Sequence, residues 1–161
     1  MKRRTFFSIM LSSVPLFLGI KEVKSAENKP QKISLSDAQW KQKLTNEQYK
    51  VLRKEGTEKP FSSPLNDEKR KGIYACAGCD LPLFNSTAKY NSGTGWPSFY
   101  ETIVNAIETK KDFKLVIPRK EYHCARCGGH QGHVFNDGPK PTGKRYCNNG
   151  VALKFVPEKT N

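Results

Sequence analysis

The sequence predicts an α+β fold, mainly antiparallel β, with a short helical arm on its N-terminal side. Three observations carry that expectation. Helix start signals crowd into residues 36–55. Everything after Gly72 is short apolar or alternating runs set between Gly, Pro and Asn turns. Two C-x-x-C pairs, "CAGC" and "CARC", lie inside that β-rich part, spaced as knuckles rather than as helix faces.

At 161 residues the chain is long enough for one domain with a tail. The first 26 residues read as an export signal: Lys2, Arg3 and Arg4, then an apolar run from Phe6 to Ile20, then small residues near Ser25 and Ala26. The run is too short and too interrupted by Ser and Pro for a membrane span. Arg3-Arg4 before Thr5-Phe6-Phe7 resembles a twin-arginine signal, and Lys21 and Lys24 fit that route. Export, to a periplasm-like compartment, is therefore expected. The net charge is +13 and falls to +9 once residues 1–26, with five Lys/Arg and one Glu, are set aside. An acidic partner would suit that balance, but the cations are scattered, with "KRK" at Lys69–Lys71 the densest run. A solvated basic surface is the simpler reading.

Residues 27–36 are polar and read as a linker, so residues 37–161 form the domain. In "SDAQWKQKLTNEQYKVLRKE", Ser36 and Thr45 are N-cap candidates, and Tyr49, Val51 and Leu52 give a partial apolar face, so two short helices fit. Gly56, Pro60 and Pro64 then stop any helix. "FKLVIP" (Phe113–Pro118), "HVF" (His133–Phe135) and "VALKF" (Val151–Phe155) read as strands.

Four thiolates from Cys76, Cys79, Cys124 and Cys127 make the sulfur cage that suits a structural zinc. A redox C-x-x-C is the functional alternative, but such motifs open helices and usually occur singly. Two disulfides are the other alternative, encouraged by an oxidising compartment, although a bridge between residues so close in sequence is strained. The 44 residues between the pairs make the metal a staple between distant hairpins.

Cys147 is then the odd thiol. Asp137-Gly138-Pro139 and Pro141-Thr142-Gly143 are turn chemistry, so "HVF" and "RYC" form a hairpin. A symmetric register sets His133 opposite Cys147 and Phe135 opposite Arg145, with Arg145, Cys147 and Asn149 on one face. A cation, a histidine and an amide around a thiol can stabilise its thiolate. An inert core cysteine, with His130 and His133 as structural histidines or spare zinc ligands, accounts for the residues equally well.

Leu44–Phe155 resembles the B-type methionine-(R)-sulfoxide reductases. The resemblance rests on "GTEKPFSSPL", "GIYACAGCDLPLF", "KYNSGTGWPSF", "HCARCGGHQGHVF" and "GPKPTGKRYCNNG". It implies two antiparallel sheets with short helices, stapled by one zinc on Cys76, Cys79, Cys124 and Cys127. It implies Cys147 as the nucleophile attacking the sulfoxide sulfur, flanked by Arg145. Trp96 and Phe155 would wall the substrate methyl. His130, His133 and Asn149 would hold and protonate the oxygen. A sulfoxide sulfur is electrophilic only when its oxygen is protonated or strongly hydrogen-bonded, a task for imidazole, and the attacker must be a thiolate, which calls for a lowered Cys147 pKa. The product is a cysteine sulfenic acid.

Many members carry a resolving cysteine in the glycine-rich segment where this chain has Thr94 in "SGTGW". The expected recycling is therefore direct, by a thioredoxin-like protein or a small thiol. Oxidised proteins or free methionine sulfoxide are the expected substrates, and a monomer is expected. A zinc-dependent nucleic-acid module is the rival class. No aromatic-basic reading motif supports it, and an export signal removes most nucleic acid from reach. A zinc-stapled structural protein with an inert Cys147 is the second rival.

Overall fold

The computed structural model describes residues 29–113 and 119–159. The segment expected to be an export signal, Arg3-Arg4 included, and most of "FKLVIP" lie outside the described residues.

Both expected helices form: α1 (Asp37–Lys43) and α2 (Asn46–Lys54). Each begins with a reciprocal capping box, Ser36 with Gln39 and Thr45 with Gln48, which satisfies two N–H groups that a helix start leaves unpaired. Trp40, Val51 and Leu52 are the buried side chains of the pair. Ahead of them the polar segment lies along the domain, with Ile33 N donating to Arg126 O and Lys32 paired with Glu108.

Nine strands follow: β1 (Gly72–Cys76), β2 (Pro82–Asn85), β3 (Lys89–Tyr90), β4 (Ser98–Phe99), β5 (Ile107–Asp112), β6 (Arg119–Cys124), β7 (His130–Phe135), β8 (Arg145–Asn148) and β9 (Leu153–Pro157). They form two antiparallel sheets, ordered β2-β1-β9 and β3-β4-β8-β7-β6-β5. The expected fold class and the two-sheet arrangement are as the sequence indicated. "VALKF" is divided, because Gly150–Ala152 turn as a 3-10 helix before β9 starts at Leu153.

The core lies between the sheets and is largely aromatic. Tyr74 and Phe84 come from the small sheet, Phe99, Tyr122 and Tyr146 from the large one. Phe84 stacks on Phe99 at 4.1 Å between centroids, and Tyr122 meets Tyr146 edge-on at 5.5 Å. Edge and offset contacts of this kind suit the ring quadrupoles and add to the area they bury. Alternation then fixes what the other face carries. With Tyr122 and Tyr146 turned inward, their strand neighbours Glu121, His123, Arg145 and Cys147 stand on the outer face of the large sheet.

Candidate active site

The four paired cysteines meet where the sheets join. Cys76 ends β1 and Cys79 follows in a turn closed by Asp80 N donating to Cys76 O; Cys124 ends β6, and Gly128 N closes its turn on Cys124 O. Cys76 Sγ lies 3.6 Å from Cys127 Sγ, and Cys79 Sγ 3.4 Å from Cys124 Sγ. A disulfide needs about 2.0 Å, whereas sulfurs around a tetrahedral zinc with bonds of about 2.3 Å sit roughly 3.8 Å apart. All five cysteines are free thiols. The four sulfurs, all buried and within 4.8 Å of one another, could hold a structural zinc. Crowding splits their acidity: Cys124 pushes Cys76 up and Cys127 pushes Cys124 up, while Cys79 and Cys127 are held down by the bonds that Cys124 supplies.

The hairpin register at Cys147 is as read from the sequence: His133 pairs with Cys147 and Phe135 with Arg145. On the other side Ser98 of β4 pairs with Cys147. The approach of β7 to β8 needs a residue without a side chain at Gly132, where a Cβ would stand 2.0 Å from the Cys147 carbonyl oxygen.

Cys147 lines a cavity of about 130 Å³ with Thr57, Trp96, Arg119, Gly132, His133, Phe135, Asn148 and Asn149. Trp96 is fixed by its indole N–H donating to Glu58 O at 3.2 Å. Asn149 is held at both ends, its Oδ1 accepting from Glu58 N and its Nδ2 donating to Gln131 O, each at 3.0 Å. His133 Nε2 meets Asp112 Oδ2 at 2.8 Å, and the same oxygen accepts from Arg119 at 2.7 Å. Arg119 Nε is buried without a hydrogen-bond partner among the described residues. The lining thus combines two aromatic rings, Trp96 and Phe135, with nitrogen-bearing side chains, Arg119, His133, Asn148 and Asn149.

Of the residues singled out from the sequence, Cys147, Trp96, His133 and Asn149 converge on this cavity. Arg145 stands beside Cys147 but is locked elsewhere: it donates to both Asp137 oxygens, at 2.9 and 2.8 Å, and its guanidinium lies 4.3 Å from the Phe135 ring. His130 is 1% exposed and does not line the cavity. Burial pushes its pKa down to about 4. Phe155 is also absent from the lining, because β9 belongs to the small sheet and packs that ring against Tyr74 at 5.0 Å.

The lowered thiol pKa expected for Cys147 is corrected. Burial pushes the thiol up, against the downward pull of Arg145 and of a hydrogen bond from Thr94. Thr94 belongs to a hydroxyl chain, Thr94–Ser92 at 2.8 Å and Ser92–Ser98 at 2.7 Å. Sequence reasoning missed Asp112, Arg119, Thr57 and Phe135. Asp112 and Arg119 close β5 onto β6 in a paired register, and no motif in either strand announces it.

Two antiparallel sheets meeting at a four-thiol cluster, with a lone thiol in a small cavity on the outer face of the larger sheet, define a thiol-bearing antiparallel β fold. The chain belongs to the SelR domain family, the B-type methionine sulfoxide reductases: its residues 44–157 match that domain. It is 53% identical over 127 residues to the peptide methionine sulfoxide reductase MsrB of Methanosarcina barkeri, covering 78% of this chain and 89% of that protein. To the MsrB of Leptospira interrogans it is 50% identical, covering 78% and 97%. It is 52% identical to the chloroplastic peptide methionine sulfoxide reductase B1 of Arabidopsis thaliana, covering 76% of this chain and 61% of that longer protein. Among solved structures, the Mis18 "Yippee-like" domain aligns with 56% of this chain at a TM-score of 0.45 and 17% identity, too slight a likeness to bear on function.

Proposed function

We propose that the chain reduces the R epimer of methionine sulfoxide to methionine, with Cys147 as nucleophile and an external thiol as reductant. It is a peptide-methionine (R)-S-oxide reductase, an oxidoreductase of the family just named. The observation that supports these roles is the cavity itself. A single cysteine lies in it, against one aromatic wall and one bank of donors, while the other four are gathered in the cluster.

A cavity of about 130 Å³ suits a sulfinyl group and its methyl rather than a larger ligand. Trp96 and Phe135 face the methyl, and His133, Arg119 and Asn149 face the oxygen, so one epimer fits both walls. The Cys147 sulfur attacks the sulfoxide sulfur. The sulfur–oxygen bond of the substrate breaks, the oxygen ends on Cys147, and the thiol proton ends on that oxygen through His133, which Asp112 orients. Methionine leaves and Cys147 remains as a sulfenic acid. Two external thiols, small or on a thioredoxin-like protein, then restore it, releasing water and becoming a disulfide. Thr94, where a resolving cysteine would lie, offers only a hydroxyl.

A structural zinc on Cys76, Cys79, Cys124 and Cys127 completes this reading; bound there, it would supply a staple between the sheets and no chemistry at Cys147. Export through the twin-arginine route, already folded and metal-loaded, is proposed from Arg3-Arg4; replacing both with Lys should abolish it. Activity as a monomer, on free or protein-bound sulfoxide, belongs to the same proposal.

The test is mass spectrometry after one turnover on a resolved R-sulfoxide, with wild type beside Cys147→Ser. One oxygen added at Cys147, and methionine released by the wild type alone, is expected. An intramolecular disulfide at Cys147 would refute the external-thiol step. Methionine from the Ser variant would refute the nucleophile.

A further inference from the structure

Three side chains on the same outer face lie outside the lining of the Cys147 cavity. Glu121 and His123 stand two residues apart on β6, and a bulge between Tyr122 and His123 brings His130 of β7 opposite His123. Glu121 is 2% exposed and His130 1%. The His123 side chain is 14% exposed and gives the cluster its contact with solvent.

Their polar atoms converge with nothing positive between them. His123 Nδ1 lies 3.2 Å from Gly128 O. A carbonyl can only accept, so Nδ1 carries a proton, and in the neutral ring the lone pair is on Nε2. Nε2 lies 3.1 Å from Glu121 Oε1. His130 Nδ1 abuts the same Oε1, outside hydrogen-bonding geometry. Among the described residues, Glu121 Oε1, His123 Nε2 and both His130 nitrogens are buried without a hydrogen-bond partner. The other carboxylate oxygen is engaged differently, 3.4 Å from Lys110 Nζ, which is itself held 2.5 Å from Glu55. Oε1 is therefore left to the two imidazoles.

We propose that Glu121, His123 and His130 form a second metal site, for a divalent transition ion of the zinc or cobalt class, separate from the four-cysteine cluster. Two imidazole nitrogens and a carboxylate oxygen are the donor set such ions take, with a fourth position open to water. The three ligand atoms lie within 4.8 Å of one another. Bonds of about 2.0–2.2 Å place tetrahedral ligand atoms roughly 3.3 Å apart, so the 3.1 Å His123–Glu121 contact has to open by a few tenths of an ångström and the closer His130–Glu121 contact by more. The carbonyl of Gly128 supplies the outer hydrogen bond that holds a metal-binding imidazole in the right tautomer. Lys110 opposes a dication and sets this site below the four-thiolate cluster in affinity.

The His130 ring lies 5.6 Å from that of His133. An ion held by His130 places positive charge one imidazole away from the group that handles the sulfoxide oxygen, so occupancy slows turnover. That consequence rests on the role given to His133; the binding site does not.

The test titrates Zn²⁺ into untagged protein already carrying one zinc equivalent, by calorimetry and by histidine side-chain ¹H–¹⁵N spectra. A second equivalent is expected, with the His123 and His130 resonances shifting. His123→Gln should keep the first equivalent and its fold while weakening the second roughly tenfold or more. No second equivalent, or one that binds His123→Gln as tightly as wild type, overturns the proposal. Should the variant fail to fold, the wild-type spectra decide: His123 and His130 resonances unmoved at saturating Zn²⁺ overturn it equally.

Discussion

Replacing Gly132 with Ala puts the geometry of the nucleophile to a quantitative test. Gly132 pairs with Asn148 in the β7–β8 hairpin, one residue from the His133–Cys147 pair. A methyl group there would stand 2.0 Å from the Cys147 carbonyl oxygen and 3.1 Å from its carbonyl carbon. Both are backbone atoms, so no side-chain rotation relieves the contact. Real Cβ atoms essentially never approach closer than 3.0 Å, so the strands must part by about 1 Å at the residue that carries the thiol. Overpacking of that size costs about 1–3 kcal/mol. A displacement of about 1 Å in a reacting group costs on the order of 100-fold in rate. Steady-state reduction of a resolved R-sulfoxide, beside urea denaturation of the zinc-loaded protein, measures both. The loss should fall on kcat more than on KM, because the thiol moves while Trp96, on a separate loop, stays. Turnover within about threefold of wild type, at unchanged stability, would refute the claim that this hairpin sets the position of Cys147.

Four other outcomes follow from particular contacts. Tyr122 donates to Asn148 Oδ1 at 2.7 Å with both residues wholly buried, so Tyr122→Phe leaves an unpaired acceptor and should cost about 1–3 kcal/mol in denaturant melts. Burial raises the Cys147 pKa, so iodoacetamide should alkylate it faster with rising pH, with the inflection above an ordinary thiol's 9.0. Arg145→Ala removes the cation that pulls that thiol down, and should shift the alkylation profile further upward and slow it several-fold at pH 8, read by mass spectrometry. Stripping metal from Cys76, Cys79, Cys124 and Cys127 with a strong chelator should abolish the cooperative thermal transition, since structural zinc contributes ~10–16 kcal/mol in small domains.

What the sequence made legible, and what it hid, divides along one physical line. Local chemistry was readable. Ser36 and Thr45 cap helices because their hydroxyls satisfy nearby N–H groups, and the turn residues between Phe135 and Arg145 set a register that puts His133 against Cys147. The C-x-x-C spacing announced a cluster because each pair is self-contained. Burial and lateral pairing were not readable. Nothing in "IETKKD" marks β5 as a strand, since four of its six residues are exposed and polar, yet its last residue, Asp112, orients His133. Arg145 neighbours Cys147 in sequence and suggests a thiolate partner, but its guanidinium is committed to Asp137 and Phe135, and burial outweighs its pull. This bears on mechanism. A thiol held protonated at rest keeps its proton until substrate arrives, and that same proton is the one the departing oxygen needs. On the proposed mechanism the imidazole of His133, paired with Asp112 on the outermost strand of the same sheet, carries it from sulfur to oxygen within one cavity. On that mechanism the raised pKa therefore lets one group serve as nucleophile and proton source, instead of opposing the attack.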